Sequence, residues 1–216
     1  MTAPEALTCR TSDGLALEAE LAGSEPGGQP PRAAVVLCHP HPHPQYGGTM
    51  RSLVISVLFG ELPLSGCACL RFNFRGVEGS EGTYSEGRDE PLDIVAGITA
   101  IAEAVPSVPI VVVAWSFGAD MALTVTDPRI AAWVGIAPPL RLRPSFAAST
   151  DARAKHLILA EHDEYRPPAQ IEEEAATWAN TTTAVIAGAS HFFVGRTDRV
   201  VTETQIGIDR ALPRER

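Results

Sequence analysis

The stretch that decides the fold is Ala114-Trp115-Ser116-Phe117-Gly118, preceded by the apolar, β-branched run Pro109-Ile110-Val111-Val112-Val113. Such a run suits a strand buried on both faces. Gly118-Ala119-Asp120-Met121-Ala122-Leu123, directly after it, has helical composition. A serine between a buried strand and a helix, with small residues two before and two after, fits a nucleophile elbow. Its tight turn forces the serine into a sparsely populated backbone conformation, and bulk at the flanking positions would meet the neighbouring strand. Gly118 satisfies that demand, and Ala114 stands where a first glycine is usual. An ordinary strand-to-helix turn with a buried serine would look similar, so the partners of Ser116 must decide.

Outward from the elbow, strands and helices alternate. Leu7–Arg10 and Leu15–Leu21 flank Ser12-Asp13-Gly14, an opening β-hairpin. Residues 24–32, rich in Gly and Pro, read as an exposed loop. Ala33–Cys38 is a strand continuous enough to be central. Thr49–Leu62 has helical spacing and is stopped by Pro63. Cys67–Phe72 is a strand, followed by a glycine-dense loop to Gly87 and a helix from Pro91 to about Ala104. Asp89, Glu90 and Asp93 suit the positive end of that helix's dipole. Strands at Ala131–Ala137, Lys155–Ala160 and Thr182–Ala187, and helices at Ile171–Trp178 and Val200–Leu212, complete the series. The pattern predicts an α/β fold with a mostly parallel sheet, an antiparallel edge and helices on both faces. With 216 residues, 45% of them hydrophobic, it is expected to be one domain over residues 1–216.

The formal charge of −9 argues against nucleic acid as a partner. No apolar run is long enough for a membrane helix, and the first residues do not read as a signal peptide. Cys9, Cys38, Cys67 and Cys69 have no disulfide-framework spacing; Cys67 and Cys69 are expected to share one face of a strand as small hydrophobes. A cytoplasmic protein is expected.

Ligands of open α/β sheets bind beyond the carboxyl ends of the strands. There the chain delivers His39 to His43, Arg75, Ser116, Glu161-His162-Asp163-Glu164 and Ser190-His191. A serine hydroxyl needs an imidazole to take its proton, and the imidazole needs a carboxylate to fix its tautomer. His191, after the last strand, is the best-placed base. His162 shares a loop with the acids, and His156 lies at the opposite end of its strand. The acid comes from the Glu161–Glu164 loop, where position alone leaves Glu161, Asp163 and Glu164 open.

Several segments together resemble one bacterial family. They are Cys38–Met50 (C-H-P-H-P-H-P-Q-Y-G-G-T-M), Arg71–Val77 with Gly79-Ser80-Glu81-Gly82, the elbow, and Ala189–Arg196. The family is the small, lid-less α/β-hydrolase proteins related to dienelactone hydrolases, and the likeness runs from about Ala33 to the C-terminus. It implies a serine hydrolase, a Ser116–His191–Asp163 triad and no cofactor. Ala114 in place of glycine, the spacing at Glu78-Gly79 and Ser190 before the histidine depart from the family pattern.

The His-Pro repeat invites a metal site, but in an extended chain its outer histidines lie about 13 Å apart. Its position instead suggests the second oxyanion-hole donor. Pro40 and Pro42 have no N–H, which leaves His41, together with Phe117 after the nucleophile; the prolines would stiffen the loop. Arg75 is expected to anchor that loop through backbone carbonyls, with substrate binding as its other role. His43 and Tyr46 complete the substrate-side candidates, the partner being a small acyl compound. Hydrolases of this fold often carry a lid after the strand that follows the elbow helix. Here the gap from Pro138 to Ala154 is too short for one, so the site is expected to be open, with little apolar wall and a preference for short acyl groups.

Overall fold

The computed structural model describes residues 3–23, 29–43 and 45–212. Part of the predicted 24–32 loop and Pro44 of the His-Pro repeat lie outside them. Among the described residues eight strands form one sheet: β1 (Glu5–Arg10), β2 (Ala16–Ala22), β3 (Ala33–Cys38), β4 (Cys67–Phe72), β5 (Ile110–Trp115), β6 (Ile130–Ile136), β7 (Ala154–His162) and β8 (Thr181–Ser190). Their order is β1-β2-β4-β3-β5-β6-β7-β8. β2 runs antiparallel to both β1 and β4, and every other pairing is parallel. The hairpin closes as its sequence predicts: Gly14 takes a φ of 94° and its N–H donates to the Thr11 carbonyl at 3.0 Å.

Among the described residues five helices cover the sheet: α1 (Leu53–Glu61), α2 (Glu90–Ala104), α3 (Phe117–Ala122), α4 (Pro168–Ala175) and α5 (Thr197–Asp209). Successive side chains of a strand point to opposite faces, and β5 divides accordingly. Ile110, Val112 and Ala114 join the core under α2 and α3, while Val111, Val113 and Trp115 join the core under α1 and α5. Cys67 and Cys69 share the α1–α5 face, and Cys9 and Cys38 the other. All four thiols are unpaired and buried.

Element ends differ from the pattern where turns intervene. α1 starts at Leu53 rather than Thr49, because Thr49 to Ser52 is spent in a turn closed by Ser52 N–H to Thr49 C=O. Pro63 sits inside a 3₁₀ turn (Leu62–Ser65) that extends the helix before Gly66 ends it at a φ of 79°. α4 begins at Pro168, where a missing N–H costs nothing, and ends before Trp178, whose ring packs on Phe146. Between β6 and β7 the chain makes only a loop with one 3₁₀ turn (Ala147–Thr150), so no lid is inserted there.

Candidate active site

Ser116 sits between β5 and α3 with a φ of 54° and a ψ of −118°. A non-glycine residue holds such a conformation only when its surroundings over-determine it. Here the Ser116 N–H donates to Ile136 of β6 at 2.8 Å, and its carbonyl accepts from Ala119 at 2.9 Å as α3 begins. The need for a small residue at 118 is equally concrete. A Cβ there would lie 2.5 Å from the His39 carbonyl oxygen and 2.8 Å from that of Cys38. The alanine at 114 is accommodated, fully packed in the core.

At the carboxyl ends of β5, β7 and β8, three side chains form a hydrogen-bonded chain. His191 Nε2 lies 2.9 Å from Ser116 Oγ, and His191 Nδ1 lies 2.8 Å from Asp163 Oδ2. A carboxylate only accepts, so Nδ1 carries the proton and Nε2 accepts from the serine hydroxyl. The second oxygen of Asp163 accepts the backbone N–H groups of Tyr165 (2.9 Å) and Arg166 (3.2 Å), which fixes the carboxylate. The other two acids of that loop meet main chain instead. Glu161 accepts from Gly188 N–H at 2.7 Å and Glu164 from His191 N–H at 3.2 Å. His162 is exposed beside Glu161. His156, bonded to Thr182 and Glu203, is distant from the site, and burial lowers its pKa.

The loop after β3 arrives beside the elbow. Its His41 N–H and the Phe117 N–H at the start of α3 donate to no protein acceptor among the described residues. The first N–H groups of a helix have no intrahelical partner, which leaves Phe117 free to meet an anion. His39 pins this loop from beneath. Its buried ring donates from Nδ1 to the Pro40 carbonyl at 2.7 Å and accepts the Phe74 N–H at Nε2 at 3.0 Å. Gly48 closes it from the other side, where a Cβ would lie within 2.5 Å of the Pro40 and His41 carbonyl oxygens. The His41 ring packs on Phe117 and Tyr46, and its Nε2 lies 3.2 Å from the Tyr84 hydroxyl.

A cleft of about 480 Å³ opens over Ser116 and His191. Tyr46 lines it, whereas His43 is exposed outside it with its Nδ1 accepting from Gln45 N–H. Arg75 is also apart from it, which removes the structural basis for a substrate contact. The anchoring partners are carboxylates, not the expected carbonyls. Its buried guanidinium grips Asp93 at 2.7–3.2 Å and Asp13 at 3.0 Å, and its own N–H donates to Asp93 at 2.9 Å. Two-pronged Arg–carboxylate pairing is stronger than bonds to neutral carbonyls. Asp93 and Glu90 are thus buried hydrogen-bond acceptors, Glu90 serving Ser85, rather than only dipole partners at the start of α2.

The expected shortage of apolar wall is also not met. Eight large hydrophobic side chains are exposed among the described residues, and five of them (Tyr46, Leu53, Leu142, Phe192 and Val194) line this one cleft. Trp115 and Tyr165 add aromatic surface, the Tyr165 ring standing edge-on to His191 at 4.5 Å. Short loops supply the wall that no inserted lid provides. Trp115, Tyr165 and Phe192 each stand within two residues of Ser116, Asp163 or His191, a signal available in the sequence.

Among the described residues no three His, Cys, Asp or Glu side chains are grouped to hold a metal ion, and no helix is long and apolar enough to cross a membrane. No protein-family model matches the chain. An uncharacterised protein of Rickettsia prowazekii is 35% identical over 103 residues, 46% of this chain and 43% of that protein. The match thus spans less than half of that relative's length. A lid-less α/β serine hydrolase from Xanthomonas campestris superposes with a TM-score of 0.84 at 26% identity, covering 100% of this chain and 98% of that one. An α/β serine hydrolase homologue from Coxiella burnetii gives 0.82 at 28% identity, over 97% of this chain and 98% of its own. A Pyrococcus furiosus esterase, at 18% identity, TM-score 0.76 and coverages of 95% and 91%, shares the fold. The chain has the α/β-hydrolase fold without a lid and is similar from end to end to the lid-less bacterial α/β serine hydrolases.

Proposed function

We propose that the protein is a serine hydrolase that cleaves a carboxylic ester, thioester or related acyl bond of a small molecule through an acyl-enzyme. The observation that carries this reading is the unbroken chain Ser116 Oγ–His191–Asp163 at the floor of an open cleft. In the first step His191 Nε2 takes the Ser116 proton while Oγ attacks the acyl carbon. Asp163 holds the imidazole tautomer and stabilises the imidazolium that forms. The His41 and Phe117 N–H groups are the donors for the oxyanion, preorganised by His39, Gly48 and the start of α3. His191 then gives its proton to the leaving oxygen or sulfur. A water entering the open cleft, deprotonated by the same imidazole, releases the acid.

The same proposal includes residues 1–216 acting as one hydrolase domain, kinship with dienelactone hydrolases, and action in the cytoplasm without a cofactor. Tyr46 contributes to the substrate wall, whereas His43 and Arg75 have no place in it. A fluorophosphonate probe should label the protein on Ser116, and a panel of p-nitrophenyl esters should be hydrolysed. Ser116→Ala should abolish labelling and lower kcat by several powers of ten, roughly 10⁶ in the best-studied triad. Labelling elsewhere, or a variant that keeps a tenth of the rate, would defeat the proposal.

A further inference from the structure

Asp120 lies one turn past Ser116 in α3, has no exposed surface, and takes no part in the reaction described above. No cation is hydrogen-bonded to it among the described residues. Instead its two carboxylate oxygens accept three consecutive backbone N–H groups, from Leu140 at 2.8 Å, Arg141 at 3.1 Å and Leu142 at 3.0 Å. A buried carboxylate is costly, and burial raises the Asp120 pKa to about 6 despite those three bonds. A helix position that only faced the core would be met more cheaply by an apolar residue.

The segment it holds is itself strained. The φ angles are 42° at Ala137 and 47° at Leu140, both left-handed. From the opposite side Arg166 donates to the Pro139 and Leu140 carbonyls at 2.8 and 2.9 Å, and its own N–H donates to Asp163. Residues 139–142 are therefore clamped between the elbow helix and the acid loop. This segment gives Pro139, Arg141 and Leu142 to the cleft, at the point in the chain where a lid would have been inserted.

We infer that Asp120 is a positioning residue for substrate selectivity: it fixes the 139–142 loop as a rigid wall against which an apolar acyl chain of medium length is held. The inference rests on the serine-hydrolase reading. The acyl group it favours is an unbranched chain longer than butyrate, since each methylene buried against such a wall is worth about fourfold in affinity. A loop free to move would give up that contact and leave the attack on the carbonyl itself less affected.

The test compares kcat/KM for p-nitrophenyl acetate, butyrate, hexanoate and octanoate in the full chain, Asp120→Asn, Leu142→Ala and the double variant. The native chain should favour hexanoate over acetate by at least about tenfold. Asp120→Asn offers one acceptor oxygen where three N–H groups need two, so the loop should come loose. The hexanoate-to-acetate ratio should then fall about tenfold, carried mainly by KM. Leu142→Ala should lower the same ratio. The double variant should fall little further, because the two changes act through one wall. A purely structural role would lower Tm and depress both esters in parallel, and that result overturns the inference. So does a native chain without hexanoate preference. If Asp120→Asn does not fold, Leu142→Ala decides alone, an unchanged ratio being fatal. Failure of every ester together with failure of Ser116 labelling would instead strike the hydrolase reading.

Discussion

As pH falls, the buried imidazole of His39 should subtract from the stability of this fold. Its Nδ1–H donates to Pro40, and its Nε2 accepts the Phe74 N–H, so a second proton would face a donor and break that bond. Burial holds the pKa down to about 4, against 6.5 for a free histidine, despite the bond to Pro40. The folded value lies below the unfolded one, so the unfolded chain takes up the proton first as pH falls. Stability from this group is complete above the unfolded value and is lost as pH drops toward the folded one. At about 1.4 kcal/mol per pKa unit, the whole window is worth about 3 kcal/mol, of which about 2 kcal/mol falls between pH 7 and pH 5. Asp120 works in the opposite sense. Its raised pKa gives stability that is present below 3.8 and is lost as pH rises through about 6. Asp93, which burial also raises to about 6, acts with Asp120, and the two mask the contribution of His39 in the native chain, so His39 must be isolated by substitution. Urea unfolding of the native chain and His39→Gln at both pH values does this. The variant should be weaker at pH 7, by about 1–3 kcal/mol for the bond it cannot remake. On going to pH 5 it should lose about 2 kcal/mol less than the native chain does. Parallel behaviour of the two proteins would refute the neutral buried imidazole.

Asp163→Asn should lower kcat by roughly 10⁴ through the wrong imidazole tautomer, whereas Glu161→Gln and Glu164→Gln should have far smaller effects; the large loss appearing at either glutamate would move the acid. Gly118→Ala must open a backbone contact of 2.5 Å, so the His39–His41 loop has to retreat from Ser116. It should lower stability by about 1–3 kcal/mol and kcat by about 10²-fold, and a fully active variant would show that the loop is not held where the structure has it. Arg75→Met leaves Asp93 buried and without its cation, and should destabilise by about 3–5 kcal/mol in urea unfolding while leaving KM unaltered; a raised KM in the folded variant would restore Arg75 to the substrate side.

The framework was readable because its signals are local. The β-branched run before Ser116, the Asp-Gly hairpin and the apolar periodicity of α2 each declare an element without reference to the rest. Asp163 could not be separated from Glu161 and Glu164 by position, since three acids within four residues differ only in which way each side chain turns. All three accept main-chain N–H groups in the structure, and of the three Asp163 is the one bonded to the His191 ring. The carboxylate partners of Arg75 lie 18 and 62 residues away, beyond any short-range pattern. The apolar wall was missed for a related reason. Leu53, Leu142 and the pair Phe192 and Val194 belong to three different segments that only the fold brings together. Asp120 read as an ordinary helix residue, although a charge one turn past a candidate nucleophile was a hint.

The four cysteines give the protein a built-in clock for its own opening. Each is buried, and burial pushes the Cys9 thiol up to about 12 and raises those of Cys38, Cys67 and Cys69. A thiol both covered and protonated does not react with an alkylating reagent until its strand is uncovered. Cys9 belongs to the outermost strand, whereas Cys38, Cys67 and Cys69 lie on the adjacent inner strands β3 and β4. Alkylation followed site by site would therefore separate the lifting of the edge hairpin from rupture at the centre of the sheet. Because Cys38 ends the strand that leads into the His39–His41 loop, its modification would date the moment at which the oxyanion side of the site comes apart.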